Sequence, residues 1–269
     1  MSPINTAPAQ VGVLLRHWRS ARRLSQLDLA LQAEVSSRHL SYVETGKAKP
    51  SREMVARLAE ALNVPLRERN TLLLAAGYAP LYRETRLGAS DLTLARRAVE
   101  FILKQQEPYP AIVVDRHWNL LQANGGAAQL FGFLLGGPPA EANVLRMVFR
   151  QDGLRSVIAN WEEVAGDMIR RLHQESAGPD EGNEGRGLIA EVLSYPGVPA
   201  RWHTDELTAP ATPLLTVVFR KNGRELRFFS TITTFGTPKD ITLEQLRIEC
   251  SYPADEATEH MCRELAGSR

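Results

Sequence analysis

The stretch 25–46, SQLDLALQAEVSSRHLSYVETG, limits what this chain can fold into more than any other part of it. Ser25 is followed three residues later by Asp28, which is the spacing of a capping box at the start of a helix. Ser36 can cap a second helix in a similar way, and Gly46 stands where a helix commonly ends. The spacing therefore predicts two short helices joined by a tight turn.

The second of these helices, 36–45, is predicted to bury one side and expose the other. Leu40 and Val43 would point inward, and the outward side chains would be polar: Ser37, Arg38, Ser41 and Tyr42. A helix-turn-helix that enters the DNA major groove presents such a face on its second helix. The alternative is an ordinary helical hairpin whose polar side chains lie outside because water lies outside.

The wider pattern resembles the phage-repressor or XRE type of helix-turn-helix, in the segments GVLLRHWRSARRLSQLDLA, VSSRHLSYVETGKAKPS and LAEALNVP. The resemblance implies a five-helix, all-α domain over residues 9–80 and an ion pair between Arg19 and Glu44. Arg38 is the strongest candidate for reading a base, because a guanidinium can donate to two acceptors of guanine. The residues expected to contact bases or phosphates are Arg19, Gln26, Ser36, Ser37, Arg38, Ser41, Tyr42, Lys47 and Lys49.

Charge is divided unevenly along the chain, although its net value is only +1. Up to residue 82 there are 11 Lys and Arg against 6 Asp and Glu, and the remaining residues carry 21 against 25. A basic front domain on a mildly acidic body is typical of a protein that meets polyanionic DNA through the front domain only. The expected macromolecular partner is therefore double-stranded operator DNA.

Other features of the sequence argue against export, membrane insertion, metal binding and catalysis. No apolar run approaches the ~20 residues of a membrane span, and the first residues lack the pattern of an export signal. Cys250 and Cys262 provide neither a disulfide framework nor a zinc site. No GxSxG, HExxH, P-loop or GxGxxG motif occurs. We therefore expect a cytoplasmic protein that is not an enzyme and holds no metal.

From Pro108 onward the pattern changes from helices to short strands. PYPAIVVDRHWNLLQAN predicts strand, turn and strand, and Asn222–Gly223 is a hairpin signal between two longer strands. These elements predict a PAS-like domain over 107–258, in which helices cover one side of a small antiparallel sheet and a pocket is enclosed. Residues 81–106 are predicted to be a connector helix or a dimer surface. The whole chain is therefore expected to be α+β.

This part of the chain resembles the MmyB-like transcription regulators, which join an XRE-type helix-turn-helix to a PAS-like ligand-binding domain. The segments that carry the likeness are PYPAIVVDRHWNLLQAN, NVLRMVFRQDGLR, LSYPGVPARW and FSTITTFGTPKDITLEQLRIECSYPADEAT. The resemblance implies that the C-terminal domain holds a small apolar effector, such as a fatty acid, and no other cofactor.

The walls of the predicted pocket are aromatic and aliphatic: Trp118, Phe131, Met147, Phe149, Trp161, Phe219 and Phe229. Residues of these types are also ordinary core residues, so each has a plain packing role as its alternative. A fatty acid would need one donor at its polar end. Arg146, between apolar neighbours, is the candidate for this role, and Trp202 and His203 are alternatives.

Three functions remain compatible with these patterns. The first is a homodimeric regulator in which a ligand shifts the spacing or orientation of the two DNA-binding heads. The second is a DNA-binding protein whose C-terminal domain is a dimerisation or protein-interaction module without a ligand. An antitoxin-like role also uses this helix-turn-helix, but the large PAS-like domain argues against it.

Overall fold

The structure, a computed structural model, describes residues 7–175, 183–203 and 214–267. These residues form two compact units. The first unit contains residues 7–85 together with Thr237–Glu244. The second contains 86–175, 183–203, 214–236 and 245–267.

Five helices make up most of the first unit: α1 (Ala7–Ala21), α2 (Gln26–Gln32), α3 (Ser37–Glu44), α4 (Arg52–Ala61) and α5 (Leu66–Ala75). Leu40 and Val43 of α3 point into their common core, as predicted, and neither is exposed. They pack there with Val11 and Leu15 of α1, which lie one helical turn apart on the same side. The five-helix prediction is confirmed.

The ends of α2 and α3 follow the capping pattern of the sequence. The Ser25 hydroxyl accepts from the Asp28 N–H at 3.1 Å, and the Asp28 carboxylate accepts from the Ser25 N–H at 2.9 Å. The Ser36 hydroxyl accepts from the His39 N–H at 3.4 Å. These bonds satisfy backbone donors that the first turn of a helix leaves unpaired. The start of each helix is therefore fixed locally.

A glycine sets the distance between α1 and α3. A Cβ atom at Gly12 would lie 2.3 Å from the carbonyl oxygen of Val43, closer than real Cβ contacts allow. The backbone of α3 therefore rests almost directly on α1. This backbone contact with α1 holds α3 in place from its inner side.

The second unit contains one five-stranded sheet: β1 (Ala111–Val114), β2 (Leu120–Ala123), β3 (Val217–Lys221), β4 (Arg224–Thr233) and β5 (Arg247–Pro253). Every pairing is antiparallel, and the strand order is β2-β1-β5-β4-β3. Asn222 and Gly223 both have positive φ, 50° and 75°, as the tight turn between β3 and β4 requires. The predicted hairpin is confirmed.

The remaining helices are α6 (Thr93–Gln105), α7 (Gly125–Leu135), α8 (Val144–Phe149), α9 (Trp161–Glu175), α10 (Asn183–Leu193), α11 (Ile241–Gln245) and α12 (Glu256–Gly267). Residues of α7 to α10 and α12 share the larger core of this unit with β4. The sequence pattern predicts helices on one side of the sheet only. However, Val99 and Leu103 of α6 pack against Val113 and Ile248 in a separate cluster, so α6 covers the opposite side. The α+β class is confirmed.

The segment Thr237–Glu244 completes the first unit from a distant part of the sequence. The Ile241 N–H donates to the carbonyl oxygen of Arg83 at 2.9 Å. Both carboxylate oxygens of Glu244 accept from the Leu66 N–H, at 2.8 and 3.1 Å. Pro65, which precedes α5, provides no side-chain cap. Glu244 therefore supplies the N-terminal cap of α5.

None of the helices that the structure describes is both long enough and apolar enough to cross a bilayer.

Candidate functional site

The outer face of α3 is open to solvent. Ser37 and Arg38 are exposed, Ser41 is half-buried, and Tyr42 keeps 38% of its surface exposed. The Arg38 Nε donates to the Tyr42 hydroxyl at 3.1 Å, and its Cζ lies 5.6 Å from the centre of the Tyr42 ring. Because Arg38 and Tyr42 keep this exposure while they contact each other, both remain available to a partner. Ser36 uses its hydroxyl to cap the same helix.

A buried acid at the end of α3 joins the first three helices. The Glu44 carboxylate accepts from Arg19 Nε at 2.7 Å and from Arg19 Nη2 at 2.8 Å. It also accepts from the Gln26 side-chain amide at 2.8 Å. The Glu44 side chain is only 2% exposed and that of Arg19 is 14% exposed. The predicted ion pair is confirmed, and it leaves the oxygen of the Gln26 amide free of this network.

The ionisation of Glu44 depends on these partners. Burial is the largest single influence and favours the neutral acid, but the hydrogen bonds from Arg19 and Gln26 and the charge of Arg19 outweigh it. Together they hold the pKa of Glu44 below its ordinary value. The network is therefore ionised at neutral pH and orients both Arg19 and Gln26.

Two lysines follow α3 in an exposed loop. The Lys47 N–H donates to the Tyr42 carbonyl oxygen at 2.8 Å, which fixes the backbone of the loop, while its side chain is exposed. Lys49 is also exposed, and its Nζ lies 5.0 Å from the centre of the Tyr78 ring. The structure thus places a positive charge beside the last turn of α3, where a phosphate backbone can be met.

The second unit contains a partly open cavity of about 380 Å³ between its sheet and its helices. This volume lies in the ~300–1,000 Å³ range of small-molecule sites. Most of the lining is apolar and comes from β1, α7, α8, α9, β3, β4 and β5. Four of the residues predicted to form its walls line it: Trp118, Phe131, Met147 and Phe219.

Three other predicted wall residues are not in the cavity lining. Phe149 and Trp161 pack edge to face with a ring separation of 5.8 Å, inside the core. Phe229 lies on the other side of β4 and stacks on Tyr252 at 5.5 Å. Since side chains alternate along a strand, its neighbour Phe228 lines the cavity instead.

The predicted polar anchor also lies elsewhere. The Arg146 guanidinium donates to both carboxylate oxygens of Glu191, at 2.8 and 3.0 Å, and is not part of the cavity lining. Of the two alternatives, Trp202 is buried in the core, 5.6 Å from Trp161. The side chain of His203 lies outside the described residues.

Five polar residues that are not among the predicted ligand residues line the cavity: Asp167, Arg171, Ser230, Glu249 and Ser251. A signal for one of them, Arg171, was present in α9. Val164 and Met168 belong to its apolar stripe, and Arg171 follows them at i+7 and i+3 on the same face. Extending the stripe by one turn would have found Arg171 at the cavity.

Two family models match the chain. One, described as a helix-turn-helix domain, matches residues 10–72. The other, described as the MmyB-like transcription regulator ligand binding domain, matches residues 95–265.

Individual proteins give shorter matches. Uncharacterised HTH-type transcriptional regulators of Mycobacterium tuberculosis and Mycobacterium bovis are 36% identical over 107 residues, 39% of this chain. The chain spans 38% of the length of these relatives. The restriction-modification controller protein C.AhdI of Aeromonas hydrophila is 32% identical, with 23% of this chain and 94% of that chain covered and a TM-score of 0.22. The clp gene regulator ClgR of Corynebacterium glutamicum is 28% identical, with 29% and 96% covered and a TM-score of 0.25.

The ligand-binding-domain match covers more than half of the chain, and it contains the sheet, the cavity and helices α7 to α11. The helix-turn-helix match contains α2, α3 and α4 in full. Both parts of the sequence resemblance are thus borne out. The chain belongs to the MmyB-like transcription regulators.

Proposed function

We propose that this protein binds operator DNA as a homodimer through α3, and that a small apolar molecule in the cavity of the second unit regulates this binding. The observation that carries the DNA-binding part is the exposed pair of Arg38 and Tyr42 on a capped helix. The core and Gly12 support the back of that helix, so its outer face has no packing role. An arginine in this position can read guanine in the major groove.

Phosphate contacts are proposed for the residues around α3. Arg19 and Gln26 are held by Glu44, and Lys47 and Lys49 extend into solvent. Contacts of this kind fix the register of a protein on the duplex but carry no base information. We therefore propose that Arg38 and Tyr42 contact the bases, and that the surrounding groups contact phosphates and position the protein on the duplex.

The cavity supports the ligand-binding part of the proposal. A C-terminal domain that served only for dimerisation or protein interaction would need no apolar cavity of about 380 Å³. Native mass spectrometry of the purified protein separates the two possibilities. A co-purifying apolar molecule is expected, and a protein that never carries or accepts one would favour the interaction module.

The segment Thr237–Glu244 supports a route from the ligand to the DNA-binding unit. It connects β4 to β5, and both strands contribute to the cavity lining, for example through Ser230 and Glu249. The segment itself belongs to the first unit and caps α5 there. A ligand that prefers one arrangement of these strands would thereby bias the DNA-binding unit, provided that its affinity for the two states differs.

Selection of DNA sites from a random double-stranded library tests the DNA-binding part. The intact protein is expected to select a two-fold symmetric site with half-sites about 34 Å apart, one turn of the double helix. Arg38→Ala should lose discrimination at one base position in each half-site, at a cost of ~1–3 kcal/mol. Arg220→Ala, which removes an exposed arginine of β3, is the matched control. An unchanged sequence preference in Arg38→Ala would overturn the assignment of α3.

A further inference from the structure

We infer that the outer face of α6 is the surface through which two copies of this chain pair, with the two helices antiparallel across a two-fold axis near Ala98. The assignment of this interface rests on the proposed function, because it names the contact that would hold the DNA-binding homodimer together. It depends on α6 alone and not on the cavity.

Two large apolar side chains of α6 face solvent. Leu94 keeps 81% of its surface exposed and Phe101 keeps 62%. The two are seven residues apart, about 10 Å along the axis, and therefore lie on the same side of the helix. The other seven phenylalanines of the chain are buried or half-buried. A leucine and a phenylalanine exposed in helical register indicate a face that packs against a partner.

The inner side of α6 is already packed. Val99 and Leu103 lie in a cluster with Val113 and Ile248 of the sheet, and neither is exposed to any large extent. Leu94 and Phe101 take no part in this cluster. The outer face is therefore not needed to hold α6 on the sheet, and it remains available for a second copy.

The other exposed apolar residues of the second unit do not form a comparable face in the part of the chain that the structure describes. Leu214 and Ile232 are exposed but line the cavity. Leu121 of β2 is a single residue with 41% of its surface exposed. Only α6 presents two such residues on one regular surface outside the cavity.

The edges of the sheet are a weaker alternative for pairing, because both edge strands already have backbone partners. The Ala159 N–H donates to the Val218 carbonyl oxygen of β3 at 2.7 Å. The Leu120 N–H of β2 donates to the Ala142 carbonyl oxygen at 2.6 Å. A second copy that added a strand to either edge would find only part of the row of backbone groups free.

A small residue lies at the middle of the exposed face. Ala98 is half-buried and lies between Leu94 and Phe101 on the same side of α6. Because its side chain is a single methyl group, two helices can approach closely there. With an antiparallel partner and the two-fold axis at this height, Leu94 of one copy meets Phe101 of the other, and the contact occurs twice.

The charges beside this face are complementary in the same orientation. Arg97 and Glu100 are exposed, and no ion pair engages either of them among the described residues. An antiparallel partner brings Arg97 of one copy close to Glu100 of the other, again twice. A parallel partner would bring equal charges to the same height along the axis. The pattern therefore favours a second copy of this chain in the antiparallel orientation.

The size of this interface predicts a weak dimer in the absence of DNA. A 13-residue helix is about 20 Å long. Stable complexes usually bury ~1,200–2,000 Å² in total, and a single helix pair lies at the lower end of that range or below it. DNA with two half-sites should strengthen the pairing, because both copies are then held close together.

Sedimentation velocity of the full-length protein over a concentration series tests the interface. Phe101→Asp should raise the dissociation constant of the dimer by about a hundredfold, since the lost contact occurs twice. Leu74→Asp, at a residue of α5 that is 58% exposed, is the matched control and should leave the constant unchanged. Cooperative binding to a DNA site with two half-sites is compared for the same proteins, because it detects pairing that is too weak to persist without DNA.

Exchange of the two charges tests the orientation. Arg97→Glu and Glu100→Arg should each weaken the dimer by about tenfold, because like charges then meet across the axis. In an equimolar mixture of these two variants, every such contact of a mixed dimer again joins opposite charges. Native mass spectrometry, which separates the two proteins by mass, should show mixed dimers in excess of random pairing. Random pairing would overturn the antiparallel arrangement.

The outcomes separate this interface from the proposed function. Urea unfolding should be the same for all these variants, because the substituted side chains are exposed. A dimer that Phe101→Asp leaves intact would overturn the α6 interface but not the homodimer, and a loss confined to Leu74→Asp would place the contact on the first unit. Independent occupation of half-sites by a monomer would overturn both. The DNA selection with Arg38→Ala does not depend on these results.

Discussion

The two units of this protein place their candidate functional residues in opposite environments. In the first unit, Arg38 and Tyr42 extend from α3 into solvent, and the core lies behind them. In the second unit, the candidate ligand residues are apolar and lie inside, beside residues of the same types that only fill the core. The sequence pattern readily distinguishes a polar residue on the outer face of a helix from a core residue. A cavity-lining phenylalanine differs from a core phenylalanine only by its position in the fold.

The largest expected effect comes from a pair of phenylalanines in the second unit. Phe149 is fully buried in the core, whereas Phe131 is half-buried at the cavity. Phe149→Ala should lower the free energy of unfolding of the second unit by about 3–5 kcal/mol. Phe131→Ala should cost clearly less, because one side of its ring meets a void and not packed atoms.

Urea unfolding followed by tryptophan fluorescence measures this difference. Trp118, Trp161 and Trp202, three of the four tryptophans, belong to the second unit, so the signal reports mainly on that unit. DNA binding by the first unit at low urea is the control for both variants. Equal losses of stability in Phe131→Ala and Phe149→Ala would contradict the division between cavity and core.

A smaller effect is expected from the buried acid of the first unit. Glu44→Ala leaves Arg19 without its partner in a largely buried place, which should cost about 3 kcal/mol. Hydrogen exchange of α1 to α3, followed by mass spectrometry, measures the loss within this unit. Glu60→Ala, an exposed acid on α4, should change stability by no more than about 0.5 kcal/mol.

The same residue gives the first unit a dependence on pH with a definite sign. Because the pKa of Glu44 is lower in the folded than in the unfolded protein, its ionised form stabilises the fold. This contribution is complete above the ordinary value of 4.5 and is lost as the pH falls from there through the folded pKa. Glu44→Gln cannot titrate, so its free energy of unfolding should fall less steeply than that of the intact protein as the pH is lowered. Urea unfolding at a series of acidic pH values measures this. An identical fall in both proteins would show that Glu44 is not the group responsible.

The features that the sequence predicted correctly are local. The capping box at Ser25, the stop at Gly46 and the Asn222–Gly223 turn each depend on residues a few positions apart. The Arg19–Glu44 pair joins residues that are distant in the sequence. It could be predicted only because a known family places a pair at these positions.

The features that the sequence did not predict depend on residues far apart in the chain. Nothing near Gly12 shows that the Val43 carbonyl will lie against it, and nothing near Glu244 shows that it will cap α5. Arg146 was selected because its sequence neighbours are apolar, but Glu191, 45 residues away, engages it. Which side of β4 faces the cavity, the side with Phe228 or the side with Phe229, also depends on which side of the sheet α7 to α9 cover.

The smallest expected effect concerns the exposed residues of the first unit. It separates phosphate contacts, which position the protein on DNA, from base contacts, which read the sequence. Lys47 is an exposed cation beside the end of α3, so Lys47→Ala should weaken binding to all DNA sequences alike. The loss of one phosphate contact should reduce the slope of log affinity against log salt by about 1. Titrations of a selected site and a scrambled site at several salt concentrations measure both quantities, with Arg220→Ala on β3 as the control. A loss confined to the selected site would instead make Lys47 a base-reading residue, and α3 would then share recognition with the loop that follows it.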